Sequence, residues 1–420
     1  MVFKNVVKVG NTLWNHKKKS AAGAVALQGD VRAFYARQAV KYGRESLSSE
    51  ERPRRVTVLA NIYANNGRVF EKFATNALPL LHLGGLEVTV IEVQLENLAA
   101  EIDKTEADAL YIVGGDGTLS CALSGIFKKY DIAPLPIGVF PGGDNNRSLL
   151  SLVPEVFSLG EKDVRKFCES AMALIEEKKR TVSEGSNEGQ QFSRPIYGLS
   201  DFHTGWFLYI ELRKKKMWYW GRIKRRFAYF WEMLKHSPVP IHISASYEEF
   251  CPGCNSCRPP VVSSEKPQWK WWYFIFGSPV HKTPPQDFSE ISNENCHKLH
   301  TVDLVGTDTI AETDTSKIVV RTGGSKMNRF DVMREGWKRC KMGKAVTSAD
   351  PMKFYEHVLE ANAVTFALDK LPELVRKFSV FGEVYEVTDD LLNKRVRFEV
   401  TNKKLDIYLP TCVRVEISEV

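Results

Sequence analysis

Several classes of protein are excluded by what this sequence has little of. No apolar stretch is long enough to span a bilayer, and the nearest, AAGAVAL, covers only residues 21–27. Eight cysteines among 420 residues are too few for a disulfide framework. The remaining composition, 43% hydrophobic and 26% charged, is typical of a globular chain, and the length predicts two to three domains.

The N-terminal segment lacks acidic residues. Met1 to Gly29 contains no Asp or Glu, but it carries five lysines: Lys4, Lys8, Lys17, Lys18 and Lys19. This pattern predicts a mitochondrial targeting segment, although such segments usually favour arginine. A basic tail that lies on an anionic membrane is the alternative. Residues 1–53 are therefore interpreted as a targeting or membrane segment and a linker.

The net charge of +7 predicts an anionic partner: a nucleotide, a phospholipid surface or a nucleic acid. The basic residues form no recognisable nucleic-acid reading motif, so we expect no nucleic-acid partner.

Short apolar strands alternate with helical stretches between residues 54 and 185. Strands are predicted at 56–60, 86–93, 109–113 and 136–140, and helices at 69–83, up to about 104, and after the glycines near 115. This alternation predicts a parallel, Rossmann-like α/β sheet, the nucleotide-binding domain of the chain. Ligands of such sheets bind at the carboxyl ends of the strands, so the loops at 61–68, 114–118 and 141–147 should share one edge.

Residues 186–420 are predicted to form a second, mainly antiparallel domain, a β-sandwich. Apolar and polar residues alternate near the C-terminus, where Val396, Phe398 and Val400 share one face and the next apolar set is Leu405, Ile407 and Leu409. Such alternation is typical of half-exposed antiparallel strands. Residues 251–300, rich in Pro, Ser and Cys, are interpreted as an insertion, and the active site is expected in the cleft between the domains.

Three cysteines of that insertion are closely spaced in CPGCNSC: Cys251, Cys254 and Cys257. This spacing could hold zinc or an iron–sulfur cluster, with Cys296, His297 or His300 as a fourth ligand. Because no fourth ligand stands at a diagnostic distance, a surface loop without an essential role for its thiols is the favoured interpretation.

The stretch Gly114-Gly115-Asp116-Gly117-Thr118 follows an apolar strand and opens a helix. Backbone N–H groups and the helix dipole make such a turn an anion site. A carboxylate beside phosphate would act through a metal ion or a ribose or phosphate proton, and magnesium is the common solution. A tight turn without a ligand is the alternative.

Together with two neighbouring loops, this stretch resembles the diacylglycerol-kinase-like superfamily of lipid kinases, which includes sphingosine, ceramide and acylglycerol kinases. In the first loop, NIYANNGR, the matching residues are Asn61, Gly67 and Arg68; in the third, PGGDNN, they are Pro141, Gly143 and Asn146. The acylglycerol kinase family, which is mitochondrial, is the most similar branch, and the likeness covers most of the chain from about residue 50.

This resemblance implies ATP- and Mg²⁺-dependent phosphorylation of monoacylglycerol and diacylglycerol, which yields lysophosphatidic and phosphatidic acids. It also implies a place on the inner mitochondrial membrane, facing the intermembrane space, and leaves a role in a membrane complex open. Glu383 is the expected base and Asp116 a further catalytic group. Asp116 and Asp144 are the expected metal ligands, and Lys224 is expected to reach the nucleotide phosphates.

Three residues depart from the family pattern. Cys121 replaces a glutamate, Arg147 an aspartate, and Phe381 the aspartate of a D-G-E-like motif in which Gly382 and Glu383 match. A sphingosine or ceramide kinase is one alternative, for which Asp201 or Glu211 would have to face the substrate amine. A catalytically weak membrane scaffold that retains the kinase fold is the other.

Two aromatic stretches are candidates for membrane contact, MWYWGRIKRRFAYFW at 217–231 and WKWWYFIFG at 269–277. Trp and Tyr suit the headgroup region and cations suit anionic lipid. Ordinary core packing is the alternative for both stretches.

Overall fold

The computed structural model describes residues 28–45, 52–92, 105–143, 146–160, 163–189, 195–257, 288, 290–314, 317–341, 348, 350–387 and 395–415. Several sequence predictions fall outside these residues: most of the basic N-terminal segment, the helix that ends near residue 104, Asp144, and the aromatic stretch 269–277.

The first domain is built on the predicted parallel sheet. Its strands are β1 (Arg55–Ala60), β2 (Glu87–Glu92), β3 (Ala109–Gly114) and β4 (Ile137–Pro141). They pair in the order β2-β1-β3-β4, all parallel. Strands β1, β3 and β4 are almost entirely buried, which is why their sequences read as continuous apolar runs.

Helices cover the sheet. They are α1 (28–43), α2 (Arg68–Asn76), α3 (Leu78–Leu83), α4 (Asp116–Lys129), α5 (Arg147–Leu152), α6 (Pro154–Phe157) and α7 (Arg165–Ile175). The single helix predicted at 69–83 is divided at Ala77, with Pro79 in the first turn of α3.

Helix α1 was not predicted, because its residues were assigned to the N-terminal targeting segment and linker. Val31, Tyr35 and Ala39 recur every four residues and pack into the core of the first domain. The Tyr35 hydroxyl also donates a hydrogen bond of 2.6 Å to Glu169. Residues 28–43 therefore belong structurally to the first domain.

The second domain is antiparallel. Its strands are β5 (Lys179–Gly189), β6 (Ile196–Gly198), β7 (Phe202–Gly205), β8 (Ile241–Glu249), β9 (Leu299–Gly306), β10 (Asp308–Asp314), β11 (Lys317–Gly323), β12 (Tyr355–Ala367), β13 (Lys377–Val380), β14 (Glu383–Glu386) and β15 (Arg395–Tyr408). The strands run in the order β14-β13-β7-β10-β11-β12-β15, while β8 and β9 extend from β12, and β5 and β6 from β15.

Helices contribute much of the second core. They are α8 (Trp206–Arg213), α9 (Lys224–Lys235), α10 (Arg329–Lys341) and α11 (Pro351–Phe354), and short 3₁₀ turns lie at Ala64–Gly67, Lys214–Ile223 and Glu373–Val375. Trp206, Tyr229 and Val332 from three of these helices pack with strand residues such as Phe202 and Phe366. The antiparallel pairing was predicted; this helical cover was not, and the sandwich arrangement stays a prediction.

Strand β15 connects the two domains. Its first part pairs antiparallel with β12, and Ile407 and Tyr408 pair parallel with Ile137 and Gly138 of β4. The predicted alternation is present, since Leu405 and Ile407 are buried and Asp406 is exposed. Their assignment as half-exposed residues of the second domain alone differs from the structure, because they pack in the core of the first domain.

Within the described ranges, no helix combines the length and apolar character that crossing a membrane requires.

Candidate active site

The three glycine-containing loops lie together at the carboxyl edge of the parallel sheet, as the strand order requires. They follow β1, β3 and β4, which are adjacent in the sheet. The amide of Gly142 donates to the carbonyl of Gly114 at 2.9 Å, so the pairing of β3 with β4 continues into the loops. The residues predicted from separate motifs therefore form one surface.

The second and third loops approach each other through glycine. A Cβ atom on Gly115 would lie 3.1 Å from the Cα of Gly143, and a Cβ on Gly143 would lie 2.7 Å from the Cα of Gly115. Side chains at either position would separate the loops, so this contact accounts for the glycine at both places.

The first loop is joined to the second by side chains. Asn61 donates from Nδ2 to Oγ1 of Thr118 at 3.1 Å, and its own Oδ1 accepts from the Tyr63 amide. Gly67 has a φ of 80° and precedes α2, whose first residue, Arg68, is exposed. The asparagine and threonine of two motifs are thus in direct contact.

Asp116 holds the third loop. Its Oδ2 accepts from the Arg147 amide at 2.8 Å, and its Oδ1 accepts from the amide and hydroxyl of Ser148 at 2.9 and 2.7 Å. Asn146, in the left-handed region with a φ of 46°, accepts from the Gly143 amide and donates to the carbonyls of Gly143 and Pro141. The carboxylate thus has a structural task that its motif did not reveal.

The second domain closes the site with Glu383. A Cβ on Gly117 would lie 3.1 Å from Cγ and 3.7 Å from Oε1 of Glu383. The preceding Gly382 has a φ of 85°, and a Cβ there would lie 2.6 Å from Cβ of Asp116. The glutamate predicted from the D-G-E-like motif therefore lies against the glycine loop of the first domain.

Tyr385 orients Glu383. Its hydroxyl donates to Oε2 of Glu383 at 2.7 Å. Burial, together with the hydrogen bond and charge of Glu383, raises the pKa of Tyr385, so the tyrosine stays protonated and remains a donor. Glu383 itself is exposed.

Two departures from the family pattern have structural explanations. Phe381 is buried, packs on Phe398 with ring centroids 5.5 Å apart, and leaves no room for a side chain at Gly198. Arg147 donates to both carboxylate oxygens of Asp201 at 2.7 Å, and both side chains are largely buried. The cation at position 147 is therefore neutralised by an acid from the second domain.

Lys224 is not brought to the loops. It is exposed at the start of α9, and in the described ranges no hydrogen bond or ion pair connects it with them. Its predicted contact with nucleotide phosphates stays a prediction, as does metal binding by Asp144, which lies outside the described residues.

Ser148 and Tyr385 were missed by the sequence reasoning. Both act on a residue that was predicted, and neither stands in a motif of its own. A serine at the start of a helix is an ordinary N-terminal signal. That Ser148 binds a carboxylate of another loop is visible only once the strands are paired.

The sequence is similar to one family of known domains and to several individual proteins. The sequence family described as Diacylglycerol kinase catalytic domain matches residues 55–185. An uncharacterized protein of Caenorhabditis elegans is 41% identical over 442 residues, 99% of this chain and 99% of that protein. The mouse protein named "Acylglycerol kinase, mitochondrial" is 25% identical over 432 residues, 95% of this chain and 98% of its own.

The chain belongs to the diacylglycerol kinase-like family of lipid kinases. Use of ATP follows from this membership, as does the usual need for a divalent metal ion. A crystal structure of a diacylglycerol kinase from Bacillus anthracis str. Sterne, 10% identical, aligns with a TM-score of 0.46 over 86% of this chain and 99% of that one.

Proposed function

We propose that this lipid kinase transfers the γ-phosphoryl group of ATP to a hydroxyl of monoacylglycerol or diacylglycerol, giving lysophosphatidic or phosphatidic acid. The observation that carries the proposal is the contact between Glu383 of the second domain and Gly117 in the nucleotide loop of the first. It brings the proposed phosphate-binding loop and an exposed carboxylate together at the domain boundary.

The nucleotide phosphates would lie over the glycine loop. The first amides of α4, from Asp116 to Thr118, have no carbonyl partner within the helix, and the helix dipole favours an anion there. Arg68, exposed at the start of α2 in the neighbouring loop, would add a positive charge. Most of the catalysis would come from this positioning and charge neutralisation.

Glu383 would act as the general base. The acceptor alcohol is a weak nucleophile at neutral pH, and an exposed carboxylate beside the phosphate site can accept its proton as the new P–O bond forms. The hydrogen bond from Tyr385 fixes one oxygen, Oε2, so that the other, Oε1, faces Gly117.

Asp116 fits a limited role in metal binding. A carboxylate has about four lone-pair positions, and three of them already accept hydrogen bonds from the third loop. Magnesium in kinases is usually bound by one or two carboxylates together with phosphates and water. Asp116 would supply one such ligand and Asp144 is the second proposed one; the ion would neutralise charge on the phosphates.

Paired acids favour an uncharged acceptor over an amine. Asp201 is bound by Arg147, and the buried Glu211 lies 2.7 Å from Arg225 and 3.0 Å from Lys214. Asp201 and Glu211 are the two acids that a sphingosine kinase would need to face the substrate amine. Each of them is already paired with a basic side chain of the protein. A glycerol hydroxyl needs no such acid.

An exposed aromatic and basic surface on the 3₁₀ turn and α9 would dock on the membrane that supplies the lipid. Its apolar members are Tyr219, Trp220, Ile223, Phe230, Trp231 and Leu234, which are 36–65% exposed. Lys216, Lys224 and Arg226 are exposed on the same segment. Core packing, the alternative to membrane contact, does not account for side chains this exposed.

The inner mitochondrial membrane, on the intermembrane-space side, is the proposed location. The supporting observations are the basic, acid-free N-terminal sequence and the similarity to the mouse mitochondrial protein. Protease protection in intact mitochondria and in mitoplasts would test it, since a protein facing the intermembrane space becomes accessible only when the outer membrane is opened.

The function is tested with a panel of acceptors. Purified protein and its Gly115→Glu variant receive labelled ATP, Mg²⁺ and detergent-dispersed monoacylglycerol, diacylglycerol, ceramide or sphingosine. We expect labelled lysophosphatidic or phosphatidic acid from the wild type alone. Label on ceramide or sphingosine alone would assign the chain to those kinases. A folded protein that labels no lipid would favour the scaffold.

A further inference from the structure

Four cysteine side chains converge where strand β8 ends and its antiparallel partner β9 begins. Cys251, Cys254 and Cys257 follow β8, and Cys296 precedes β9. These strands pair up to Glu248 and Leu299. The hairpin thus brings together cysteines that are separated by almost forty residues in the sequence.

The spacing of the sulfur atoms fits one tetrahedral ion. Sγ of Cys257 lies 3.6 Å from Sγ of Cys254 and 3.8 Å from Sγ of Cys251, and all four sulfur atoms lie within 4.8 Å of one another. A zinc ion with Zn–S bonds of about 2.3 Å needs S–S separations of about 3.8 Å. None of these four cysteines forms a disulfide bond.

Hydrogen-bond donors around the sulfur atoms support this arrangement. The Cys254 amide donates to Sγ of Cys257 at 3.3 Å, and Nδ2 of Asn293 donates to Sγ of Cys251 at 3.4 Å. Donors directed at sulfur are typical of the outer shell that orients metal-bound thiolates. The Asn255 amide also donates to the Ile291 carbonyl at 2.9 Å, which ties the two cysteine-bearing segments together.

We propose that Cys251, Cys254, Cys257 and Cys296 bind one Zn²⁺ ion as a closed structural site. Neither His297 nor His300 is needed, because Cys296 completes the set of four. Four protein ligands leave no open position for a substrate, so the ion has no part in phosphoryl transfer.

Zinc is the expected metal. Tetrahedral sites of four thiolates bind zinc or belong to iron–sulfur centres. A four-iron cluster places iron and sulfide between its thiolates and therefore needs cysteine sulfur atoms farther apart than a single ion does. Binding releases the thiol protons to solvent, and the ion then joins the segment that follows β8 to the segment that precedes β9.

The site is tested by metal analysis of the full chain. Protein purified without chelators should contain about one zinc ion per chain, as measured by inductively coupled plasma mass spectrometry. A mercurial reagent binds thiolates, so its stepwise addition should release zinc in proportion to the amount added. Cys254→Ser and Cys296→Ser should each lower the zinc content at least tenfold, whereas Cys412→Ser, which changes an exposed cysteine elsewhere, should retain it.

Cobalt substitution avoids dependence on the folding of the variants. The wild-type chain loaded with Co²⁺ should show thiolate-to-cobalt charge transfer and the strong visible bands of a tetrahedral ion. Three results would overturn the proposal: a metal-free chain whose four cysteines form disulfides, a chain that binds only iron, or full zinc content in both cysteine variants. None of these readouts depends on kinase activity.

Discussion

The contact between Gly115 and Gly143 sets the distance between two loops of the proposed nucleotide site. Gly115→Ala would place a methyl group 3.1 Å from the Cα of Gly143 and push the third loop away. Overpacking of this kind costs about 1–3 kcal/mol, so we expect kcat/KM for ATP to fall roughly 5- to 150-fold. Gly160→Ala is the control, because a Cβ there meets nothing within 4 Å. Equal kinetics for the two variants would show that the loops tolerate separation.

The Arg147–Asp201 pair offers a second test at the level of side chains. Asp201→Asn would leave a largely buried guanidinium without its carboxylate, which costs about 3–5 kcal/mol of unfolding free energy. The double variant Arg147→Met, Asp201→Leu removes both charges and should regain most of that loss. Denaturant unfolding measures both. If the double variant is as unstable as the single one, the pair is not the source of the loss.

The residues also show where sequence reasoning reached its limit. Asn61, Asp116, Gly143, Asn146 and Glu383 were placed by motif, and the structure brings them together. The partners of Asp116 and Glu383 were not predicted, because the first depends on two loops meeting and the second on a β-hairpin in another domain.

Among the elements, the 3₁₀ turn and α9 make a specific prediction about membrane binding. Arg226→Ala should weaken binding to vesicles with anionic phospholipid about fivefold, since one basic residue near the surface contributes about 1 kcal/mol. Trp231→Ser should weaken it as well, also at high salt, because its contribution is apolar. Sedimentation with vesicles measures both. Met352→Ser, at an exposed position in α11, is the control; an equal loss for it would refute a defined docking face.

Elements bounded by strong local signals were predictable, and those defined by distant partners were not. Strands β1, β3 and β4 are apolar runs that end at loops rich in glycine or asparagine, and their predicted bounds differ from the structure by about a residue. Helix α1 was not predicted, because the basic, acid-free sequence before it favoured a targeting segment and a linker over residues 1–53. The end of β15 has the predicted alternation of apolar and polar residues. No local sequence pattern indicates that this end pairs with β4, because the pairing depends on a strand more than 250 residues away.

In the molecule as a whole, the buried Asp308–Arg339 pair is a central support of the second domain. Asp308 Oδ2 lies 2.9 Å from Arg339, Oδ1 lies 2.6 Å from His203, and none of these side chains is exposed. Asp308→Asn should lower the unfolding free energy by about 3–5 kcal/mol. Asp350→Asn, which affects an exposed pair with Lys353, should change it little.

The same pair predicts a dependence on pH. Burial acts to raise the pKa of Asp308, but the Arg339 guanidinium and the hydrogen bonds outweigh it, and the pKa is lowered. A lowered carboxyl pKa stabilises the fold above its unfolded value of about 3.9 and loses that contribution as pH falls through the folded pKa. Wild-type stability should therefore decline below about pH 4 more steeply than that of Asp308→Asn. Parallel curves in denaturant titrations across this range would contradict it.

The whole chain forms its proposed active site across the boundary between the two domains. Strand β15 pairs with strands of both, and Glu383 meets Gly117 at their junction. Glu383→Gln keeps the shape of the side chain and removes its basicity, so it separates catalysis from binding.

The most direct test is the rate of phosphoryl transfer to diacylglycerol by Glu383→Gln, measured beside its affinity for Mg²⁺-ATP. Loss of a general base should lower kcat by about 10²–10⁴-fold and leave nucleotide affinity unchanged. Glu386→Gln, an exposed glutamate on the same strand, should retain wild-type kcat. A Glu383→Gln enzyme with wild-type kcat would contradict the assignment of the base and with it the proposed shared site.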